Sequence, residues 1–146
     1  MRGRMALMIA GQTCEIREVK LSDKPAALVA ASEKATVPVL VLPGGTVMEE
    51  SLDVMRWALA QRDPERWLER DAPKLIEAND GPFKHHLDRY KYSTRHKTDR
   101  GEHRAAAMPI LQRLETRLAG SANLCGDARG FADIAIFPFI RQFAAT

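Results

Sequence analysis

Residues 34–42 read Lys34-Ala-Thr-Val37-Pro38-Val-Leu-Val-Leu42, and beyond Pro43-Gly44-Gly45 the chain continues Thr46-Val-Met48-Glu-Glu50-Ser51-Leu52. An apolar run closed by Pro-Gly-Gly and followed at once by a second short run has the pattern of a β-hairpin. Leu52, Met55 and Leu59 then fall three and seven positions apart, which predicts a helix with one apolar face from Ser51 to about Ala60. Ser51 stands at its N-terminus, where a hydroxyl satisfies exposed backbone N–H groups.

Working backwards, Asp23, Lys24 and Pro25 form a helix start that continues through Ala26 to Ala31. Glu15 to Leu21 (EIREVKL) sets β-branched residues among charges and is expected to form a short edge strand. Arg2 to Ala10 are helix formers, and Gly11 stands where a left-handed C-terminal cap belongs. The order is helix, strand, helix, strand, strand, helix. One further strand in front would complete the βαβαββα arrangement of a thioredoxin-like domain.

Working forwards, Gln61 to Pro64 is polar, and every periodic segment after it is helical. The expected division is residues 1–62 and residues 63–146. The second part should hold a short helix at Pro73 to Ala78, a break over Asn79 to Pro82, and a helix from Phe83 to about Tyr92. A longer helix is expected between Arg100 and Leu118, with Met108, Leu111, Leu114 and Leu118 on one face and a bend at Pro109. The last, Phe131 to Ala144, is apolar nearly all round, as for a helix at the centre of a bundle, with a kink at Pro138.

Composition narrows the function. With 146 residues, 45% hydrophobic and 28% charged, the chain has the make-up of an ordinary soluble protein. Its net charge of +3 is spread among acidic residues, so nucleic acid is not the favoured partner; the basic stretch from Lys84 to Arg104, with Tyr90 and Tyr92, is diluted by Asp88, Asp99 and Glu102. No apolar stretch approaches the length of about 20 residues that spans a bilayer. Cys14 and Cys125 are far apart, which argues against a disulfide framework or a cysteine zinc site and fits a reducing cytoplasm. His85 and His86 are adjacent, His96 and His103 are seven apart, and none has an acidic or cysteine partner at ligand spacing; all four read as solvated helix positions, with no metal expected. Trp57 and Trp67 read as packing residues near the junction of the two parts.

The ordered set Lys34, Val37, Pro38, Glu50 and Ser51 resembles the glutathione-binding segment of the soluble, bacterial-type glutathione S-transferases. RMALMIAG, EIREVKLSDKP and GFADIAIFPFIRQFA extend the resemblance over almost the whole chain. In that family a valine-proline pair with the proline in cis precedes the third strand, and an acidic residue followed by serine opens the third helix. The resemblance implies an α+β protein, with a thioredoxin-like domain followed by an all-helical one. It also implies that Val37 pairs its backbone with the cysteinyl part of glutathione, that Ser51 and the helix start hold the γ-glutamyl carboxylate, that Glu50 holds the ammonium, and that Lys34 meets the glycyl carboxylate. A carboxylate on a helix N-terminus gains from exposed N–H groups and from the dipole.

Two departures stand out. Family members carry a strand and a loop with a catalytic serine, cysteine or tyrosine before the RMAL-like helix, where this sequence starts. It also stops at Thr146, before the family's closing helices. The expectation is therefore a chain truncated at both ends, its two domains incomplete and its catalytic-residue segment absent. Cys14 is a poor replacement for that residue and reads instead as a small buried hydrophobe; Cys125 is no better. In the family's last segment a serine or threonine usually stands three residues before the aspartate. Gly130 takes that place before Asp133, so a weaker helix start is expected. As a complete protein the chain would be a cytoplasmic homodimer that transfers glutathione to electrophilic small molecules. A non-catalytic thioredoxin-like and helical binding module is the alternative.

Overall fold

The computed structural model describes residues 1–146. It divides into two compact units, Met1–Pro64 and Glu65–Thr146.

The first unit opens with α1 (Arg2–Ile9) and α2 (Ala26–Ala31), continues through the hairpin β1 (Leu40–Val41) and β2 (Val47–Met48), and closes with α3 (Ser51–Gln61). The strands pair antiparallel with Leu40 opposite Met48 and Val41 opposite Val47. Gly45, at φ +83°, makes the reversal, donating its N–H to the Leu42 carbonyl at 2.8 Å. The end of α1 is a Schellman cap: Gly11 at φ +67° donates to Met8, and Gln12 donates to Leu7, each at 3.0 Å. The core lies between α1 and α3, where Ala6 and Ala10 meet Val54, Met55, Ala58 and Leu59. Gly3 permits this approach, since a Cβ there would stand 3.2 Å from Val54 Cγ1.

The expected strand at Glu15–Leu21 does not form. That segment is irregular apart from an isolated bridge between Lys20 and Asp23, and Ile16 and Leu21 are exposed. A strand needs a partner for its N–H and C=O groups, and the sheet holds β1 and β2 alone. β-branched residues favour a half-buried pleated surface, and here no such surface is offered.

The second unit follows a 3₁₀ turn (Trp67–Glu69) with α4 (Pro73–Ala78), a π-helical turn (Asn79–Phe83), α5 (Lys84–Lys91), α6 (Ser93–His96), α7 (Arg100–Leu118) and α8 (Phe131–Ala144). The expected break over Asn79 to Pro82 is thus a π turn linking α4 to α5. Pro82 lacks an N–H, and the wider turn accommodates the loss. Helices α7 and α8 run continuously through Pro109 and Pro138. The core gathers Phe83, Leu87, Tyr90, Ala107 and Phe143, with Ile110, Leu111, Phe139 and Ile140 against them. Of the face expected for α7, Leu111 and Leu114 turn inward, whereas Met108 and Leu118 are exposed and Ala107 joins the core instead. Tyr90 belongs to this core, 5.1 Å from Phe143 between ring centroids, so it is not a surface ring for stacking on a base. Trp67 is buried and donates its indole N–H to Glu65 Oε2 at 2.9 Å. On α8, Phe137 is 53% exposed, so that helix keeps one wet side.

Candidate functional site

Three of the five expected site residues are joined by short-range geometry around the start of α3. The Lys34 ammonium donates to Glu50 Oε1 at 2.8 Å, tying the loop before Val37 to the residue that precedes α3. Glu50 raises the Lys34 pKa above its ordinary value, chiefly through this hydrogen bond. One turn earlier, the buried Ser32 hydroxyl donates to Glu49 and accepts the Ala35 N–H at 3.1 Å. Two side-chain links therefore fasten the loop 32–37 to residues 49–50. Ala35, at φ +45°, turns the chain inside that loop and is itself buried.

The Val37–Pro38 peptide is cis. Val37 is 50% exposed, and its N–H and C=O take no part in the backbone hydrogen bonds of the unit. Glu50 occupies the N-cap position of α3 with extended backbone, and its side chain does not cap the helix. The first-turn N–H groups of α3 thus have no side-chain cap, and Ser51 stands at the helix start directly after Glu50.

Sequence reasoning missed Arg2. It is only 8% exposed, and its Nε donates to Ser51 Oγ at 2.8 Å. Ser51 accepts in this contact, so its own O–H stays available to an incoming carboxylate. A buried guanidinium beside a helix N-terminus adds to the positive potential already there. The two residues lie 49 positions apart, and α1 packing on α3 is what joins them.

The sequence matches the family model described as the glutathione S-transferase N-terminal domain over residues 1–67, and that of the glutathione S-transferase C-terminal domain over residues 65–146. The chain belongs to the glutathione S-transferase family. It is 29% identical over 155 residues to a probable glutathione S-transferase, MSR-1, of Nicotiana plumbaginifolia, an alignment spanning 98% of this chain and 68% of that protein. Among solved structures, glutathione S-transferase 1-6 from Anopheles dirus species B superposes with a TM-score of 0.78 at 18% identity, covering 99% of this chain and 74% of that one. Glutathione S-transferase I from mais, solved with an atrazine glutathione conjugate, gives 0.75 at 21% identity, covering 99% and 76%. The fold is accordingly a thioredoxin-like N-terminal domain followed by an all-helical C-terminal domain.

The cysteines of this transferase-family chain differ in setting. Cys14 is exposed rather than the small buried hydrophobe expected, since the segment after α1 packs under nothing. Cys125 is half-buried, and burial, then Asp133, pushes its pKa up, so at neutral pH it is a thiol rather than a reactive thiolate. The histidines also depart from expectation: His85 and His86 on α5 meet His103 on α7, and the three rings form one cluster. Spacing along the chain does not reveal this, because the third ring comes from another helix. No helix is long and apolar enough to cross a membrane.

Proposed function

We propose that this chain binds glutathione along the strip from Lys34 to Ser51, for transfer to electrophilic small molecules. The Lys34–Glu50 bond carries the reading, because it gathers the loop, the exposed Val37 backbone and the open start of α3 at one place. The γ-glutamyl carboxylate sits on the first-turn N–H groups of α3 and the Ser51 hydroxyl, and Glu50 takes the neighbouring ammonium. The cysteinyl backbone pairs with Val37 and follows Pro38 along the hairpin, as an extended peptide adds to a free edge. Lys34 turns to the glycyl carboxylate, and Arg2 holds the Ser51 hydroxyl in position. In the transfer step the glutathione sulfur, as thiolate, forms a bond to the electrophilic carbon while the leaving group departs with its electron pair. The same reading, which rests on family likeness, makes the protein a cytoplasmic homodimer.

Titration calorimetry with glutathione tests the site. Wild-type protein should bind, and Glu50→Ala combined with Ser51→Ala should lower the affinity at least tenfold, about 1.4 kcal/mol. Unchanged affinity in the double variant removes the assignment. Turnover of an aryl halide with glutathione separates a transferase from a module that only holds the tripeptide.

A further inference from the structure

The C-terminal helical unit carries a group of side chains that glutathione binding does not use. His85 and His86 are in the first turn of α5, and His103 is in the first turn of α7. One nitrogen from each ring lies within 4.8 Å of the others, and His86 Nδ1 is 2.9 Å from His103 Nδ1. The ring centroids are 5.1, 5.9 and 5.2 Å apart for the pairs 85–86, 85–103 and 86–103. We propose that His85, His86 and His103 together bind one divalent transition-metal ion of the zinc, nickel or copper class.

The chemistry favours such an ion. Imidazole nitrogen is a ligand for zinc, copper and nickel, whereas magnesium and calcium prefer oxygen. Tetrahedral zinc holds its nitrogens at about 2.0–2.1 Å, which sets neighbouring ligand atoms roughly 3.4 Å apart. The His86–His103 pair needs to open by only about 0.5 Å to reach that edge, and His85 needs to close by up to about 1.4 Å, which rotation of an exposed ring supplies. In the Nδ1–Nδ1 contact one ring donates and the other accepts, so the accepting lone pair is directed between the two rings. An ion entering there shifts the donor's proton to Nε2 of the same ring.

The surroundings hold the rings for this purpose. Leu87 follows His86 directly and Ala107 lies one turn beyond His103; both are core residues, so the two helices are fixed where their histidines meet. Arg89 Nη1 stands 3.1 Å from His85 Nδ1, and an ion bound through that nitrogen takes the place of the guanidinium donor. Arg89 swings out into solvent when the site fills. Three nitrogens leave a fourth position for water.

The test uses untagged full-length protein freed of metal by a chelator and contains no glutathione, so its outcome is independent of the tripeptide site. Zinc chloride titrated calorimetrically should bind at one ion per chain, nickel and copper more tightly in the usual order of stability, and magnesium not at all. His86→Gln with His103→Gln should weaken zinc at least tenfold with helicity by circular dichroism retained, and His96→Gln should leave it unchanged. The single change His85→Gln, at an exposed position, reads the same site without risk to the fold and should also weaken zinc. Absence of zinc binding to the wild type, or full affinity in either the double variant or His85→Gln, overturns the proposal.

Discussion

Arg2 Nε donates to Ser51 Oγ at 2.8 Å, so the first turn of one helix sets the hydroxyl at the first turn of another. The guanidinium is nearly buried, and burying a cation is unfavourable unless it is bonded. Its place beside the start of α3 suits an anion more than it suits the apolar core between α1 and α3. Under the proposed function this residue positions Ser51 and lends its charge to the seat of the γ-glutamyl carboxylate.

Arg2→Met should therefore weaken glutathione about tenfold, since a hydrogen bond to a charged group contributes about 1.5–3 kcal/mol. Arg2→Lys should weaken it less, because the charge remains while the geometry of the fork is lost. Calorimetric Kd values for the three proteins decide the matter. Equal affinities would show that Arg2 serves the packing of α1 alone.

The Lys34–Glu50 pair should matter to ligand binding and little to folding. Both side chains are more than half exposed, and an exposed pair stabilises a protein by only about 0–1 kcal/mol. Lys34→Ala is expected to leave the urea midpoint almost unmoved while glutathione affinity falls severalfold, and to make that affinity less sensitive to salt. A large drop in midpoint with no change in affinity would reassign the pair to the fold.

What could be read from the chain was local. The hairpin followed from Pro43-Gly44-Gly45 between two apolar runs, α3 from the spacing of Leu52, Met55 and Leu59, and the cap at Gly11 from a glycine after a run of helix formers. What could not be read depends on distant partners. Glu15–Leu21 has strand-like residues and no strand beside it, so propensity alone misleads. In the sequence Arg2 is one helix former among those from Arg2 to Ala10, and its role comes from a residue 49 positions away. On α7 the inward Leu111 and Leu114 could be read from spacing, but Met108 and Leu118 share that spacing and are exposed.

Asp133 should be the polar residue on which the start of α8 depends most. Its Oδ1 accepts the Leu124 N–H at 2.7 Å, and its Oδ2 accepts those of Gly130 at 2.9 Å and Cys125 at 3.2 Å. One carboxylate thus fastens the helix start to the preceding loop 123–126. Asp133→Ala leaves three donors unmet and should cost about 2–4 kcal/mol, read as a lower guanidinium midpoint. A loss below about 0.5 kcal/mol would mean that water replaces the carboxylate at all three N–H groups.

Gly130 gives the sharpest contrast between a local rule and the folded environment. By the rule for helix starts, serine at this N-cap position should improve on glycine by a few tenths of a kcal/mol, because its hydroxyl accepts an N–H of the first turn. The structure opposes this. A Cβ at position 130 would overlap the Arg70 carbonyl oxygen and stand 2.6 Å from Cys125 Cβ and 2.7 Å from its Sγ. The backbone has no slack there, since the next residue, Phe131, donates its N–H to that same Arg70 carbonyl at 2.8 Å, and the Arg70 guanidinium holds the Arg129 carbonyl at 3.1 Å. Overpacking of this kind costs about 1–3 kcal/mol, several times what the new cap would return. Gly130→Ser should consequently lower the Tm, and Gly130→Ala should lower it at least as far, because alanine brings the same Cβ without a hydroxyl. Thermal unfolding of the two variants beside wild type gives the answer, and a serine variant more stable than wild type would mean that the loop at Cys125 yields freely.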